Sequence, residues 1–336
     1  MWEKKVLALH DWRLMKIKFS NKGLIFKVSE FAPFAGYSFA QSPQLIKIGE
    51  NFRVYFSSRK ITKKKYPESE ILFVDFDSNF SKIINYSKKP VLESSLIGSY
   101  DEHGVFPINP VWLGNQRLVA YLSGWSRRLA VPVETAIGLS ESFDDGVTFQ
   151  RVGVGPVLAA SPHEPFLVGD PFVIKTKENS YKMYYIAGQQ WKEFPNEKDP
   201  QRIYKIRSAS SNDGLNWTQD GIDLIPDKFI DECQALPSVA EFDGQYLMTF
   251  CFREADGFRS DPSRGYRLGF AVSRDLVTWK RDDDIAVIDR HSSGWDESMS
   301  CYPNLTVQGS MLVLLYNGND FGRDGFGLAI FGPNHE

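Results

Sequence analysis

The sequence contains little cysteine, and the cysteines it has form no pattern. Its 336 residues include three cysteines, Cys233, Cys251 and Cys301. An odd number without paired spacing argues against a disulfide framework and against a zinc site. We therefore expect three buried thiols and a reducing, cytoplasmic location.

Long apolar runs and a large net charge are also missing. No stretch of about 18 apolar residues occurs, and the first residues, MWEKKVLALHDWRLMKIKF, lack the apolar core and cleavage site of a secretory signal. The formal net charge of −3 gives no basic field for nucleic acid. Neither nucleic acid nor a membrane is therefore expected as a partner.

Helical periodicity is nearly absent, whereas aromatic residues are abundant. Hydrophobic residues make up 42% of the chain and aromatic residues 14%, with 25 Phe and 14 Tyr. This composition favours strands over helices and suffices for a packed core. We expect an all-β protein.

A repeat begins at prolines that are spaced by 67, 61, 66 and 66 residues. After each proline come two apolar segments around a polar or glycine-containing turn, as in QLIKIGENFRVYFSSR and SVAEFDGQYLMTFCFR, which is the signature of a hairpin. A third apolar segment follows, and in three units a turn then leads to an aromatic strand. Each unit is therefore predicted to be a four-stranded antiparallel meander. The prolines are Pro43, Pro110, Pro171, Pro237 and Pro303.

Five such meanders predict a five-bladed β-propeller. We expect one domain over residues 1–336, with blades starting near residues 38, 104, 167, 232 and 297. Only 33 residues follow Pro303, enough for three strands. The N-terminal segment GLIFKVSEF should therefore supply the outer strand of the last blade, with residues 24–31 pairing near GFGLAIF. The alternative fold is two unrelated β-sandwiches.

In a propeller the first strand of each blade lines the axis. A hairpin places the start of its first strand beside the end of its second strand, so these positions from all blades should share one face. The segments before the prolines are acidic, as in YDEHGVFPINP and GWDESMSCYP. The acidic residues and the histidine expected on this face are Asp101, Glu102, His103, Asp170, Glu232, Asp296 and Glu297. The second strands end at Arg59, Trp125, Trp191, Arg253 and Asn317.

Carboxylates beside aromatic platforms are what sugar chemistry requires. One acid protonates the leaving oxygen, a second acts as base or nucleophile, and an indole face packs on the sugar. Any single carboxylate could instead cap a turn or pair with an arginine, but the cluster as a whole indicates function. His103 has no spacing typical of a metal site. A structural cation on the axis fits better, and no other cofactor is expected.

The motifs GDPFVIK and DECQALPSV, with the repeat, resemble the five-bladed propeller superfamily of glycoside hydrolase families 43, 32, 68, 117 and 130. The resemblance implies that Asp170 is the third-blade aspartate that stabilises the transition state or tunes a pKa. It implies that Glu232, followed by Cys233, is the fourth-blade general acid, although it lies five residues before Pro237 instead of two. In the first blade, Gln41-Ser42-Pro43 stands where the family has an aspartate. Asp101, Glu102 or Asp296 would have to replace that missing acid.

The phosphorylases of this superfamily need no first-blade base, because phosphate itself attacks and is held by basic side chains. Arg59, Arg253 and Arg323 could hold phosphate here, or the carboxylate of an acidic sugar. Tyr302 and Asn317 are further candidates for binding the sugar. The segments DEHGVFP and YNGNDFG also resemble uncharacterised glycosidase-like propellers of bacterial surface-polysaccharide loci.

The resemblance thus implies a carbohydrate-active enzyme that cleaves or transfers a glycosyl unit as a glycosidase, transglycosidase or phosphorylase. Its substrate would be a saccharide or a sugar phosphate, including an anionic one. Two alternatives stand beside it. The chain could be a non-catalytic sugar-binding propeller that has lost the first-blade aspartate, or a propeller that serves only protein contacts.

Overall fold

The chain folds as a five-bladed β-propeller in a computed structural model, which confirms the fold class predicted from the repeat. The structure describes residues 16–60, 67–113, 117–177, 180–195, 197–288 and 294–333. The first strand is β1 (Ile17–Phe26), which belongs to blade 5. Blade 1 is formed by β2 (Tyr37–Ile48), β3 (Asn51–Lys60), β4 (Glu68–Phe76) and β5 (Ile83–Tyr86).

The next three blades repeat this antiparallel order from the axis outward. Blade 2 is formed by β6 (Val105–Leu113), β7 (Arg117–Ser126), β8 (Glu134–Ser142) and β9 (Gln150–Arg151). Blade 3 is formed by β10 (Val168–Lys177), β11 (Ser180–Lys192), β12 (Gln201–Ser211) and β13 (Thr218–Gln219). Blade 4 is formed by β14 (Glu232–Phe242), β15 (Gln245–Glu254), β16 (Arg267–Ser273) and β17 (Lys280–Arg281).

Blade 5 is built from both ends of the described chain. It contains β18 (Ala286–Ile288), β19 (Cys301–Gln308), β20 (Met311–Asn317) and β21 (Phe326–Phe331), and β1 lies antiparallel on β21. The N-terminal segment therefore supplies the missing outer strand, as predicted. The pairing runs from Ser20–Ile330 to Phe26–Phe326, so it starts earlier and ends earlier than expected. The short β18 adds a parallel fifth strand outside β1, which the sequence pattern did not predict.

In the described residues, helical structure is confined to short turns. Two 3-10 turns, Val28–Glu30 and Ala32–Phe34, follow β1 directly and bury Val28 and Phe34 between blades 5 and 1. A third 3-10 turn covers Pro262–Arg264, and α1 covers Asn319–Gly322. The expected strand over residues 24–31 therefore ends at Phe26, because the chain must turn there to enter blade 1.

The inner strand of every blade carries a β-bulge at one X-Pro pair. Pairing with the second strand skips two residues at Ser42-Pro43, Phe106-Pro107, Asp170-Pro171, Leu236-Pro237 and Tyr302-Pro303. Proline suits this position because it has no N–H to give to the ladder. The blade 2 equivalent is therefore Pro107 and not Pro110, and the spacing becomes 64, 64, 66 and 66 residues.

Buried polar side chains link neighbouring blades just outside the bulges. The side chains of Asn109, Ser238 and Asn304 each accept a hydrogen bond from a backbone N–H of the next blade. Asn317 links blade 5 to blade 1, because its Oδ1 accepts from Ser42 N at 2.7 Å. Its Nδ2 donates to the carbonyls of Ala40 (2.8 Å) and Gly325 (2.6 Å). Both polar atoms of Asn317 therefore hold the ring closed instead of pointing to a ligand.

We expect Asn317→Ala to lower the free energy of unfolding by about 2 kcal/mol or more, because it leaves buried backbone groups without partners. Urea denaturation at equilibrium measures this. Asn51→Ala, in the half-exposed first hairpin of blade 1, is the control. Equal midpoints for Asn317→Ala and the unmodified protein would contradict the closing role.

Apolar clusters fill the spaces between neighbouring blades, as between blades 1 and 2 at Tyr55, Phe73, Ile108 and Leu122. A further cluster lies at the axial end of blades 3, 4 and 5 and contains Leu167, Tyr204, Cys251 and Met299. All three cysteines are buried free thiols in this cluster. The core therefore reaches directly beneath the face on which the inner strands begin.

Candidate functional site

The five bulge residues surround the axis on the face where the inner strands begin. We call this set, Ser42, Phe106, Asp170, Leu236 and Tyr302, the axial ring. The rings of Phe106 and Tyr302 lie 5.2 Å apart, and the N–H of Leu236 donates to the Asp170 carboxylate at 3.3 Å. All members except Phe106 have φ between 50° and 54°. Strained backbone of this kind is concentrated at functional sites.

Asp170 is the carboxylate of the axial ring. Its side chain is buried, with 8% exposure, and its own N–H donates to Ser123 Oγ at 3.2 Å. Burial raises the pKa of Asp170 to about 7, while Arg202 and the N–H of Leu236 oppose the rise. A carboxyl with this pKa is partly protonated at neutral pH and can give a proton to a bound molecule.

Aromatic side chains form a wall beside Asp170. The ring of Tyr266 lies 5.6 Å from Tyr302, 6.4 Å from Phe258 and 6.2 Å from Phe321. The hydroxyls of Tyr204 and Tyr266 are 2.6 Å apart. Burial raises the pKa values of these tyrosines, so their hydroxyls stay neutral and can both donate and accept hydrogen bonds.

Three arginines approach the same wall from blades 3 and 4. Arg253 has 2% exposure, and its guanidinium carbon lies 3.6 Å from the centre of the Phe258 ring. Arg202 acts electrostatically on Asp170. Arg259 donates to the side-chain oxygen of Gln201 at 3.2 Å. The axial site is therefore rich in cations, with Asp170 as the acid of the ring.

Arg253 was predicted from the sequence, whereas Arg202, Arg259, Tyr204 and Tyr266 were not. The prediction covered only the starts of first strands and the ends of second strands. The start of a third strand reaches the same face, because Arg202 in β12 pairs with Trp191 at the end of β11. The same hairpin rule, applied once more, would have found Arg202.

Most of the acidic residues before the prolines are bound by side chains of their own blade. Glu232 has 0% exposure, and its carboxylate accepts from Arg281 Nη1 at 2.7 Å and from Lys228 N at 2.9 Å. Asp101 is bound by Arg151 at 2.8 Å. The partners Arg281 and Arg151 lie at equivalent positions on the outer strands of blades 4 and 2.

Asp296 and Glu164 complete this pattern in blades 5 and 3. Asp296 is fully buried and accepts from Tyr316 Oη at 2.7 Å and from Asn21 in outer strand β1. Glu164 is bound by Tyr185, Arg207 and Gln219. The acidic repeat thus ties the segment entering each of four blades to that blade's outer region. The carboxylates of Asp101, Glu232 and Asp296 are consequently not brought together at the axis.

Glu102 and His103 lie in a groove of 1200 Å³ between blades 1 and 2. Glu102 accepts from Gly98 N at 2.7 Å, and its other oxygen lies 3.3 Å from His103 Nδ1. The His103 ring is 5.1 Å from the ring of Trp125, whose indole N–H donates to Ser69. These three predicted residues therefore meet, with Glu102 and His103 lining the groove, and none of them belongs to the axial ring.

The remaining predicted residues lie at the rim of the axial site, against its apolar cluster or at the exposed surface. Arg59 is exposed, lies 4.6 Å from the Phe39 ring and interacts electrostatically with Tyr302, so it belongs to the rim of the axial site. Trp191 is half-buried and packs against the axial cluster. Arg323 is exposed in an ion pair with Asp320 (3.1 Å), and Glu297 is exposed.

Across the described residues, no group of three His, Cys, Asp or Glu side chains is placed to hold a metal ion. None of the helices described is long and apolar enough to cross a membrane.

The chain is similar in sequence to two curated proteins and similar in fold to solved structures. It is 30% identical over 306 residues to the uncharacterized proteins Rv1502 and MT1551 of Mycobacterium tuberculosis, across 89% of this chain and 96% of each relative. No family model matches it. Two solved structures, a BT0996 RGII complex and a glycoside hydrolase, have TM-scores of 0.71 and 0.70 at 17% identity. Each alignment covers 95% of this chain and 93% of the other.

A third structure comes from glycoside hydrolase family 130, described as mannoside phosphorylases with hydrolases that target β-1,2 mannosidic linkages in Candida mannan. It aligns with a TM-score of 0.67 at 13% identity, over 97% of this chain and 96% of the other. At such identities the likeness shows the fold. This fold is the five-bladed propeller that the sequence repeat predicted.

Proposed function

This protein belongs to the family of Rv1502 and MT1551, and we propose that it is a carbohydrate-active enzyme that cleaves or transfers a glycosyl unit at the axial ring. One observation carries the proposal. Asp170, a buried carboxyl with a pKa raised to about 7, stands among aromatic side chains at the axis. The fold shared with glycoside hydrolases and phosphorylases supports the same class of chemistry.

Asp170 is the proton donor in this proposal. Its protonated form gives a proton to the glycosidic oxygen as the bond to the anomeric carbon breaks. The ring of Tyr302, which is half-buried in the axial ring, packs against the C–H surface of the sugar, with Tyr266 behind it. Asp170 thereby takes the role expected for Glu232, whose carboxylate is occupied by Arg281.

The nucleophile must come from outside the axial ring. Its first-blade member is Ser42, so the ring offers one carboxylate where hydrolysis by the usual two-acid route needs two. A bound acceptor that carries its own nucleophile removes this need. The proposal therefore favours transfer to an acceptor over direct hydrolysis. A cytoplasmic location and a role in polysaccharide metabolism stay predictions.

Activity is expected to fall above pH 7, by about tenfold per pH unit, because the ionised form of Asp170 has no proton to donate. A screen of nitrophenyl glycosides, nucleotide sugars and sugar phosphates, with and without inorganic phosphate, first identifies a substrate. The pH dependence of kcat/KM on that substrate is then measured. A rate that rises through pH 7 to 9 would assign Asp170 the role of a base.

Non-catalytic sugar binding is the second candidate function, and Ser42 in the place of the family's aspartate favours it. If this alternative is correct, a saccharide binds at the axial ring and is not turned over. Saturable binding on a glycan array, together with no product in the screen after prolonged incubation, would support it against the enzyme.

A further inference from the structure

We infer that residues 319–324 form a lid on the axial site and that Gln41 is its latch. The inference rests on the proposed function in one respect, since it takes the axial ring as the place where the saccharide binds. In the structure this place is covered: Asp170 has 8% exposure, and Tyr266, behind Tyr302, has 4%. A proton donor must come within hydrogen-bond distance of the oxygen that it protonates. A neighbouring segment therefore has to move before a saccharide can lie against Asp170.

The lid follows β20 on the axial face and reaches two other blades. The ring of Phe321 lies 6.2 Å from the ring of Tyr266 and 6.1 Å from that of Phe258, nearly perpendicular to both, and these two rings belong to blade 4. On its other side, the carbonyl of Phe321 accepts a hydrogen bond from Gln41 Nε2 of blade 1 at 2.5 Å. Gln41 directly precedes Ser42 of the axial ring. The lid therefore extends from blade 4 to blade 1 beside the axial ring.

The two ends of the lid are fixed. Asn319 Oδ1 accepts from the backbone N–H groups of Ser298 at 2.9 Å and Met299 at 3.1 Å. At the other end, the carbonyl of Gly325 accepts from Asn317 Nδ2 at 2.6 Å. The tip can therefore pivot about these two ends without disturbing the strands on either side.

Between the fixed ends the backbone is strained. Asp320 and Phe321 have φ values of 54° and 60°, in the left-handed region that bulky side chains rarely adopt. Asp320 pairs with Arg323 inside the tip at 3.1 Å, so this ion pair does not tie the tip to another blade. Strained backbone persists where its surroundings hold it. Here the holding contacts are the Gln41 bond and the packing of the Phe321 ring.

Gln41 thereby gains a role that the sequence did not indicate. It has 3% exposure and stands, with Ser42, where the superfamily that the sequence resembles has an aspartate. An ionised carboxylate at this position would have no proton to donate to the Phe321 carbonyl, whereas the glutamine amide has two. The segment that lacks the acid of the first blade is thus the one that supplies the latch.

Carboxyl labelling of the whole protein measures the opening of the lid without requiring turnover. Asp170 is modified with a water-soluble carbodiimide and glycine ethyl ester at pH 6, and its labelling rate is read by mass spectrometry. Because the reagent reaches Asp170 through the open state, the rate follows the open population. We expect Gln41→Met, which keeps the side-chain size but loses the donor, to raise this rate about threefold to tenfold.

Gln44→Met is the matched control. Gln44 is buried in the same strand, but its Oε1 accepts from Asn304 Nδ2 at 3.2 Å, so it binds blade 5 and not the lid. Its substitution should leave the labelling rate of Asp170 unchanged. Glu232, which has 0% exposure and is bound to Arg281, is the internal control in each protein, because unfolding is needed to expose it.

The outcomes separate the lid from the reaction. Faster labelling of Asp170 in Gln41→Met, with Glu232 unchanged, supports the lid. Equal rates in Gln41→Met and the unmodified protein, or equal acceleration of Asp170 and Glu232, overturn it. A working latch in a protein that turns over no glycoside overturns the enzymatic function and leaves the lid standing. Turnover by a protein whose Asp170 is labelled equally fast with and without the latch overturns the lid and leaves the enzyme.

Discussion

Replacing Asp170 by asparagine is expected to stabilise the protein by about 4 kcal/mol at pH 8 and to lower turnover by at least about 100-fold. Burial raises the pKa of Asp170 from its ordinary 3.8 to about 7, so the folded state resists ionisation that the unfolded state undergoes freely. The protonated Asp170 carboxyl contributes fully to the free energy of unfolding below pH 4, and this contribution is lost as the pH rises through 7. Above pH 7 the folded protein carries the full cost of a buried carboxylate.

Equilibrium urea denaturation of both proteins at pH 4 and pH 8 measures this effect. The difference in unfolding free energy should be near zero at pH 4 and largest at pH 8. Asparagine is a suitable replacement, since its side-chain oxygen can still accept from Leu236 N and it tolerates the positive φ of this position. If Asp170→Asn is no more stable than the unmodified protein at pH 8, the Asp170 carboxyl is better solvated than its burial indicates.

Replacing Glu232 by alanine is expected to cost about 3–5 kcal/mol of stability. The carboxylate accepts bonds from Arg281 Nη1, Lys228 N and Gln234 Nε2 at 2.7, 2.9 and 3.0 Å. Removing it leaves these buried donors without that partner. Asp283 lies 3.1 Å from Arg281 and still neutralises part of its buried charge after Glu232 is removed. The loss of stability should therefore be near the lower end of this range.

Thermal and urea unfolding measure the loss, with the exposed Glu297→Ala as the control for removing a carboxylate from an acidic segment. Turnover per folded molecule should change little in Glu232→Ala, because its carboxylate is bound to the outer strand of blade 4. Unchanged stability together with lost turnover would restore Glu232 as the general acid.

The fold could be predicted because each blade repeats the same local pattern. Hairpin periodicity and turn residues are visible within about 65 residues, and the shortage of strands after Pro303 indicated that β1 closes the ring. The blade 2 register was misassigned because two prolines, Pro107 and Pro110, lie in one strand. Only the skipped pairing between Val105 and Ile108 distinguishes them.

The site was predicted less completely, for a physical reason. A carboxylate in an acidic segment looks the same whether it faces a ligand or a distant arginine. Arg281 lies 49 residues after Glu232, and Arg151 lies 50 residues after Asp101. Short outer strands carry little periodic signal, so their position beside these acids could not be predicted. Asp170 was predicted because its Asp-Pro step resembles the third-blade Asp-Pro of the superfamily, and the structure places this step at the bulge of blade 3.

The antiparallel pairing of β1 with β21 also constrains the order in which the protein can assemble during synthesis. Ser20 pairs with Ile330, so the ribosome must add about 310 further residues before β1 meets this partner. Until then four blades can form, while the edge of β1 stays open to another strand. At high concentration, two nascent or refolding molecules could exchange β1 and emerge as an intertwined dimer in which each ring is completed by its neighbour.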